Sequence, residues 1–307
     1  MSDLRKLKVG WDVFRDEATD DLAAIKALGV DWERGRFPAY LEMVCQVAAK
    51  PEATRTVPVG GDLWTACVEL LMLSYSRDVW SGGGKVLVNK LVTITKARDY
   101  LNEDGRNHLL ELVAAQVLVS SGFGAAALTI NEADLILTLP SGERIAIECK
   151  RPDTSNVKAA FKALRDQVSA HGDPEAAAQE RWIRSNRKGQ KHAKPPVGEK
   201  FEYAGVVLGM DRALPLATTT PRGQPKDVLA KCRQIEDRFY RTDVVRRVRR
   251  LPLPVPLVMV MLGGISYLSE VGAPCFLLSP AIHWRLDANL ALPSGVDTSS
   301  SAIGWPK

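Results

Sequence analysis

The stretch "ADLILTLPSGERIAIECKRP", residues 133–152, decides how this chain folds. Two runs of strand-forming residues flank a Pro-Ser-Gly turn, and this pattern predicts a β-hairpin. The far end of the hairpin carries Asp134, Glu148 and Lys150, although strand interiors are depleted in all three residue types. We therefore expect these charged side chains to serve a purpose other than strand formation.

Strand alternation predicts the two faces of the hairpin, because successive side chains point to opposite sides of a sheet. If Leu139 pairs with Glu143, Asp134 lies opposite Glu148, and a slip of one residue would mix apolar and charged faces. The charged face then gathers two carboxylates and one ammonium at one end of the sheet. The aliphatic face, expected to be buried, consists of Ala133, Leu135, Leu137, Leu139, Ile145, Ile147 and Cys149.

Two facing carboxylates need compensating positive charge. Lys150 supplies part of it, and Mg²⁺ or Mn²⁺ suits hard oxygen ligands in such a group. The alternative is an exposed strand end with a surface salt bridge, which is the common meaning of an isolated Glu-x-Lys. Glu111 favours the first interpretation, because it lies close to the apolar stripe of a preceding helix, although a boundary residue of that helix would look the same.

The remaining sequence predicts a helical region followed by an α/β region. Residues 1–98 are expected to be mainly helical, as in "DEATDDLAAIKALGV", which opens with acids and ends at Gly29. For residues 99–286 we predict a helix, three strands, a helix, a strand, a helix and a last strand beginning near Pro256, together forming a mixed sheet between helices. We predict a loop or frayed extension for residues 181–200 and a loose tail for residues 287–307.

These features together resemble the PD-(D/E)XK nuclease superfamily. The resemblance covers roughly residues 100–265: a helix with "ELVAAQVLVSSGF", the hairpin with Asp134 and "ECK", and a following helix that carries Gln167. It implies an α/β protein with a restriction-endonuclease-like αβββαβ core. One departure is Ala133, which stands where the family name has a proline that many members lack.

The resemblance also implies a role for each residue of the site. Asp134 and Glu148 would be metal ligands, and Glu111 would help to hold the metal site. Lys150 would orient or activate the attacking water, and Gln167 would be an accessory residue of the second helix. The implied cofactor is Mg²⁺ or Mn²⁺, and the implied substrate is DNA rather than RNA.

Composition indicates a globular protein with a mild preference for an anionic partner. Of 307 residues, 46% are hydrophobic and 25% charged, which is enough apolar material for a core, and the formal net charge is +5. The five cysteines contain no C-x-x-C pair, which excludes a zinc ribbon and argues against a disulfide framework. The N-terminus lacks the apolar core of a signal peptide, and the most apolar stretch holds three prolines, so we predict a cytoplasmic protein without a membrane helix.

Basic and histidine side chains supply further candidates. The basic residues would contact phosphates of a nucleic acid, or would equally well form solvated helix faces. The four histidines show no ligand spacing and are expected to be structural or superficial, although His108 lies one helical turn before Glu111. The candidates for nucleic-acid binding are Lys158, Lys162, Arg165, Arg246, Arg247, Arg249 and Arg250.

We therefore expect an enzyme, a metal-dependent nuclease that hydrolyses DNA, with a role in restriction or defence. The first alternative is a non-catalytic DNA-binding or assembly subunit that retains the fold. The second is an interaction protein whose basic helix docks an acidic partner. A homo-oligomer and a partner protein of a multi-subunit system both remain open.

Overall fold

The structure, a computed structural model, describes most of the chain. Helices cover both faces of one β-sheet within the described part. The described residues are 10–51, 55, 62–82, 103–123, 126–128, 133–152, 157–186, 193–209, 230, 234–235, 237–268, 273–284, 290 and 296.

The N-terminal region is helical, as predicted, as far as the structure describes it. Helix α1 ends where Gly29 adopts a φ of +83°, a left-handed conformation that glycine takes without strain. Residues 83–98 lie outside the described residues. The helices of this region are α1 (Trp11–Ala27), α2 (Phe37–Ala48), α3 (Asp62–Tyr75) and α4 (Arg77–Gly82).

Helix α5 (Glu103–Ser120) precedes the sheet and ends as its sequence predicts. Gly122 has a φ of +84°, and the N–H of Phe123 donates a hydrogen bond of 3.1 Å to the carbonyl of Leu118. This arrangement satisfies carbonyls that the last helical turn would leave unpaired. The Phe123 ring then packs against Trp284, with ring centroids 5.5 Å apart, and so joins the end of α5 to the sheet.

The sheet is mixed, which confirms the predicted α/β class. The six strands found among the described residues lie in chain order, with the first three antiparallel, the third to fifth parallel, and the sixth antiparallel to the fifth. Parallel neighbours need crossover connections, and helices provide them. The strands are β1 (Ala126–Leu128), β2 (Leu135–Thr138), β3 (Arg144–Lys150), β4 (Tyr203–Gly209), β5 (Leu257–Leu268) and β6 (Ala273–Trp284).

Helices α6 (Val157–Gly172) and α7 (Pro174–Asn186) connect β3 to β4. The prediction of a loop or frayed extension for residues 181–200 is wrong for residues 181–186, which continue α7 as regular helix. The reason lies at the start of that helix: Pro174 occupies its first position, and Asp173 caps it by accepting the N–H of Ala176 at 3.0 Å. A π-helical turn (Tyr240–Val244) and helix α8 (Val245–Val248) precede β5. In the described ranges no helix combines the length and the apolar character needed to cross a membrane.

Strand β6 is a correction to the sequence analysis, which placed no strand after β5. It contains Pro274 and Pro280, and proline removes a hydrogen-bond donor from a ladder. Strand β6 lies at the edge of the sheet, where such prolines are tolerated. The strand pattern was therefore obscured by residues that only an edge position permits.

Two apolar layers enclose the sheet. On one face, Ile147 and Cys149 of β3 share a continuous core with Trp11 of α1, so the N-terminal helices and the sheet are packed as one body. On the other face, Val206 and Val258 pack against α6 and α8. Leu290 is buried in the first core, so the predicted tail is not loose at that position.

Candidate functional site

The hairpin pairs in the predicted register. Leu135 pairs with Ile147 and Thr138 with Arg144, so the next step outward brings Asp134 opposite Glu148. The N–H of Leu139 donates to the carbonyl of Glu143 at 2.8 Å and closes the three-residue turn, in which Gly142 takes a φ of +97°. Glycine adopts this left-handed conformation readily, which fixes the register from the turn side as well.

One position of the aliphatic face was predicted wrongly. Ala133 lies in a small buried cluster with Ile136, Ala146 and Phe201, on the face opposite to Leu135. The chain bends at Asp134, and the regular strand begins only at Leu135, so alternation does not extend back to Ala133. The other predicted members of this face are buried in the first core.

Lys150 lies between the two acids. Its Nζ is 3.5 Å from Oε2 of Glu148 and 3.8 Å from Oδ2 of Asp134. The backbone N–H of Cys149 donates a hydrogen bond of 2.8 Å to the same Oδ2, which ties the Asp134 carboxylate to the end of β3. The side chains of Asp134 and Lys150 are 23% and 22% exposed, whereas that of Glu148 is 2% exposed. Glu148 is therefore the buried member of the site, and solvent reaches the site beside Asp134 and Lys150.

Burial dominates the electrostatics of Glu148. It raises the pKa of this carboxyl, and the charge of Asp134 raises it further, while the hydrogen bond from His171 and the charge of Lys150 act in the opposite direction. The favourable interactions with His171 and Lys150 thus do not fully offset the cost of burying the negative charge of Glu148. Its Oε2 accepts no hydrogen bond from any residue that the structure describes.

His171, which the sequence predicts to be structural or superficial, is buried beside Glu148. Helix α6 buries the ring at its last turn, and Nε2 lies 2.7 Å from Oε1 of Glu148. The available signal was spacing: His171 follows Gln167 by four residues, so both lie on one face of the helix. Gln167 is half-buried, and its Oε1 has no hydrogen-bond partner among the described residues.

Glu111 approaches the end of β3 from the other layer of the molecule. Helix α5 packs on the face of the sheet that carries Ile147 and Cys149, and Oε1 of Glu111 lies 3.1 Å from Nδ1 of His108. Burial, followed by the charges of Asp134 and Glu111, raises the pKa of the Cys149 thiol well above its ordinary value. That thiol stays protonated and is a core group, as predicted, rather than a nucleophile.

The basic candidates lie on α6, on α8 and at the two positions that follow α8. Helical spacing places the three candidates of α6 on one face, turned away from His171. The guanidinium of Arg247 lies 5.5 Å from the centroid of Phe161, so this half-buried arginine packs the two helices together. The exposed candidates are Lys158, Lys162, Arg165, Arg246, Arg249 and Arg250.

The acids fit a divalent cation that is only partly enclosed by protein. Mg²⁺ commonly takes one or two carboxylates and completes its shell with water and substrate phosphate. Asp134 and Glu148 offer such a pair, and the buried Oε2 of Glu148 without a hydrogen bond is the feature that fits a missing positive partner. Within the described ranges, no three His, Cys, Asp or Glu side chains are grouped so as to hold a metal ion by themselves.

The chemistry open to this cluster follows from its charges. With both acids ionised, one ammonium leaves one negative charge uncompensated, and the site attracts a cation. The same ammonium can donate hydrogen bonds to an anionic substrate that enters from the open side.

Comparison with protein families, with curated proteins and with solved structures finds no match to this chain.

Proposed function

We propose that this protein is a metal-dependent deoxyribonuclease with a restriction-endonuclease-like core. The observation that carries the proposal is the position of the Lys150 ammonium, within 3.8 Å of carboxylates on both strands of the hairpin. The order of α5, three antiparallel strands, α6 and a parallel strand agrees with the αβββαβ arrangement that the resemblance implies. This agreement supports the proposal without depending on any single residue.

Each residue of the cluster has a separate task in this proposal. Asp134 and Glu148 would hold the ion, which when bound supplies an activated water and neutralises charge on the scissile phosphate. Asp134 is kept in place by the N–H of Cys149, and Glu148 by Nε2 of His171. The Lys150 ammonium would donate to the phosphate oxygens where negative charge develops.

Binding of the DNA would rest on other residues. The exposed arginines of α8 and of the turn after it, together with the basic face of α6, would contact phosphates, which positions a duplex without reading its sequence. Such contacts release counterions and make affinity fall as salt rises. The proposal therefore separates affinity, spread over many exposed cations, from rate, which depends on a few groups at the end of the hairpin.

A non-catalytic DNA-binding or assembly subunit is the second candidate. The burial of Glu148 favours it, because burial opposes the ionised form that a metal ligand needs. Dependence of cleavage on Mg²⁺ separates the two candidates. A role in restriction or defence, a homo-oligomer and a partner protein all stay predictions.

The cytoplasm is the compartment that we propose. Cys45, Cys67 and Cys149 are free thiols, which suits a reducing environment. Burial raises the pKa of Cys67 to about 12, so this thiol is protonated and unreactive at neutral pH.

The decisive experiment incubates the full chain with linear and circular DNA in Mg²⁺, Mn²⁺ or EDTA. We expect cleavage in either metal, none in EDTA, and a loss of about 100- to 1,000-fold in rate for Lys150→Ala and Glu148→Ala. Lys26→Ala is the control, because it removes an exposed lysine of α1 that pairs with Glu33 at 2.6 Å, far from the hairpin in sequence. DNA binding in Ca²⁺ should be similar for all four proteins.

The outcome also decides between the candidates. Cleavage of circles would identify an endonuclease. Binding of DNA without cleavage in any metal would favour the non-catalytic subunit. Cleavage that resists EDTA, or equal rates for Lys150→Ala and wild type, would contradict the nuclease interpretation of the hairpin.

A further inference from the structure

We propose that His171 is a positioning residue that selects which oxygen of Glu148 is offered to the metal ion. The inference rests on the proposed function and adds a residue that the family resemblance does not supply. Nε2 of His171 lies 2.7 Å from Oε1 of Glu148, and the two residues are 6% and 2% exposed. A contact this short and this well shielded from water holds both side chains in one arrangement.

The direction of this hydrogen bond follows from the acceptor. An ionised carboxylate only accepts, so Nε2 carries the hydrogen and donates it to Oε1 of Glu148. The other oxygen, Oε2, then faces Lys150 at 3.5 Å and accepts no hydrogen bond from any described residue. The histidine thereby occupies one oxygen of the acid and leaves the second for a cation.

Phe201 holds His171 in place through both its backbone and its ring. The carbonyl of His171 accepts the N–H of Phe201 at 3.0 Å, and the edge of the His171 ring meets the Phe201 ring at a centroid distance of 5.7 Å. A Cβ placed on the next residue, Gly172, would lie 3.0 Å from Leu253, so the end of α6 is closely packed there. The donor is therefore fixed before any ion binds, which is how outer hydrogen bonds orient metal ligands.

A purely structural role for His171 predicts a different set of variant effects. If the ring only fills space, any substitution should lower stability and leave the metal affinity of the folded protein unchanged. If the N–H positions Glu148, the metal affinity should depend on whether the side chain at position 171 keeps an N–H donor, and not on the volume of that side chain. His171→Gln keeps an N–H donor, His171→Leu keeps much of the volume without a donor, and Val168→Ala opens space one turn earlier in α6 and leaves His171 unchanged.

The experiment titrates the full chain with Mn²⁺, without DNA, and follows the free ion by electron paramagnetic resonance. We expect His171→Leu to weaken Mn²⁺ binding about 10- to 100-fold, the usual effect of losing an outer hydrogen bond to a metal ligand. His171→Gln should stay near the wild-type affinity, and Val168→Ala should melt at a lower temperature with the wild-type affinity. Cleavage in Mg²⁺ should follow the same order as Mn²⁺ affinity.

Each other outcome overturns the inference. Wild-type affinity in His171→Leu, or equal weakening in His171→Gln and His171→Leu, would make the ring a packing element only. Equal weakening in Val168→Ala would assign the effect to general loosening of α6. If His171→Leu does not fold, His171→Asn, whose shorter amide falls back from Glu148, replaces it with the same expectation.

The design also separates this inference from the proposed function. A wild-type protein that neither binds Mn²⁺ nor cleaves DNA would overturn both. A wild-type protein that binds and cleaves, with His171→Leu unchanged in both respects, would overturn only the role of His171.

Discussion

Two buried glutamates of this protein, Glu69 and Glu148, are equally hidden from solvent, each 2% exposed, yet they have opposite surroundings. Glu69, on α3, meets the guanidinium of Arg36 at 2.6 Å, and both side chains are almost fully buried. Glu148, on β3, has an ammonium at 3.5 Å that is shared with a second acid, Asp134. The first carboxylate faces a dedicated cation, whereas the second does not.

We interpret the difference as that between a structural acid and a candidate functional one. A buried pair with a dedicated partner joins α3 to the start of α2 and leaves no charge to attract a ligand. The raised pKa of Glu148 shows that its site opposes the charged form. Proteins tolerate such unfavourable groups mainly where they are used, so the mismatch itself points to the hairpin.

Breaking the buried ion pair of Arg36 and Glu69 should have the largest effect on stability. Arg36→Leu leaves Glu69 charged and buried, and we expect the free energy of unfolding to fall by about 3–5 kcal/mol. Urea unfolding measures the change. The double variant Arg36→Leu, Glu69→Leu is the control and should recover most of the loss, because no buried charge then lacks its partner. An equal loss in the double variant would mean that packing, and not charge, carries the effect.

Removing Lys150, the cation shared by the two acids, should have a small effect on stability and a large effect on cleavage. Lys150→Ala takes away a partly exposed ammonium, but Glu148, whose pKa burial already raises, can take up a proton instead, so we expect the free energy of unfolding to fall by only about 1 kcal/mol. Cleavage should nevertheless collapse, because the ammonium that would stabilise charge on the phosphate is gone. The same urea series measures stability, and a loss as large as that of Arg36→Leu would place Lys150 among the structural ion pairs.

Glu148→Gln should stabilise the metal-free protein at neutral pH. The folded pKa of Glu148 is raised, so its stabilising contribution is fully present below the unfolded pKa of about 4.3 and is lost as the pH rises through the folded pKa. Glutamine has no charge to desolvate, so the variant should be more stable than wild type near pH 7, and the difference should vanish in acid. Thermal melts between acid and neutral pH measure it, and a constant difference across that range would contradict the assignment.

The smallest effect per residue is expected on the basic surface. Replacing Arg246, Arg249 and Arg250 with alanine should weaken DNA binding and flatten its dependence on salt, by about 0.9 in logarithmic slope for each phosphate that the protein no longer neutralises. Binding isotherms at several salt concentrations measure the slope. Arg247→Ala is the contrasting variant, because its guanidinium stacks on Phe161, and it should lower stability more than the slope. An unchanged slope in the triple variant would mean that DNA binds to another surface of the protein.

The parts of the site that follow from local rules could be predicted from sequence. The register of the hairpin depends on alternation and on a three-residue turn, both of which are visible in the residues themselves. Lys150 and the two acids therefore came together as expected. Their roles in metal binding and catalysis stay predictions.

The contact between His171 and Glu148 could not be predicted, because it joins residues 23 apart in sequence through the packing of a helix on a sheet. Two further departures have equally specific causes. Strand β6 is obscured by prolines that only an edge strand accepts, and α7 continues into a basic stretch because its start is well capped. For His171 and β6 a distant contact or a position in the sheet decides what the local residues leave open, whereas the cap of α7 is local in sequence.

The common core of Trp11 and Leu290 has a consequence for how the chain is made. A ribosome adds about 5–20 residues each second, so the earliest helices wait roughly a quarter of a minute to a minute for their last core partner. During that interval the apolar side of α3 lacks β5 and β6, the strands that it later packs against. We therefore expect newly made chains to expose apolar surface to chaperones, and synthesis of the first 98 residues alone should produce aggregates instead of a soluble fragment.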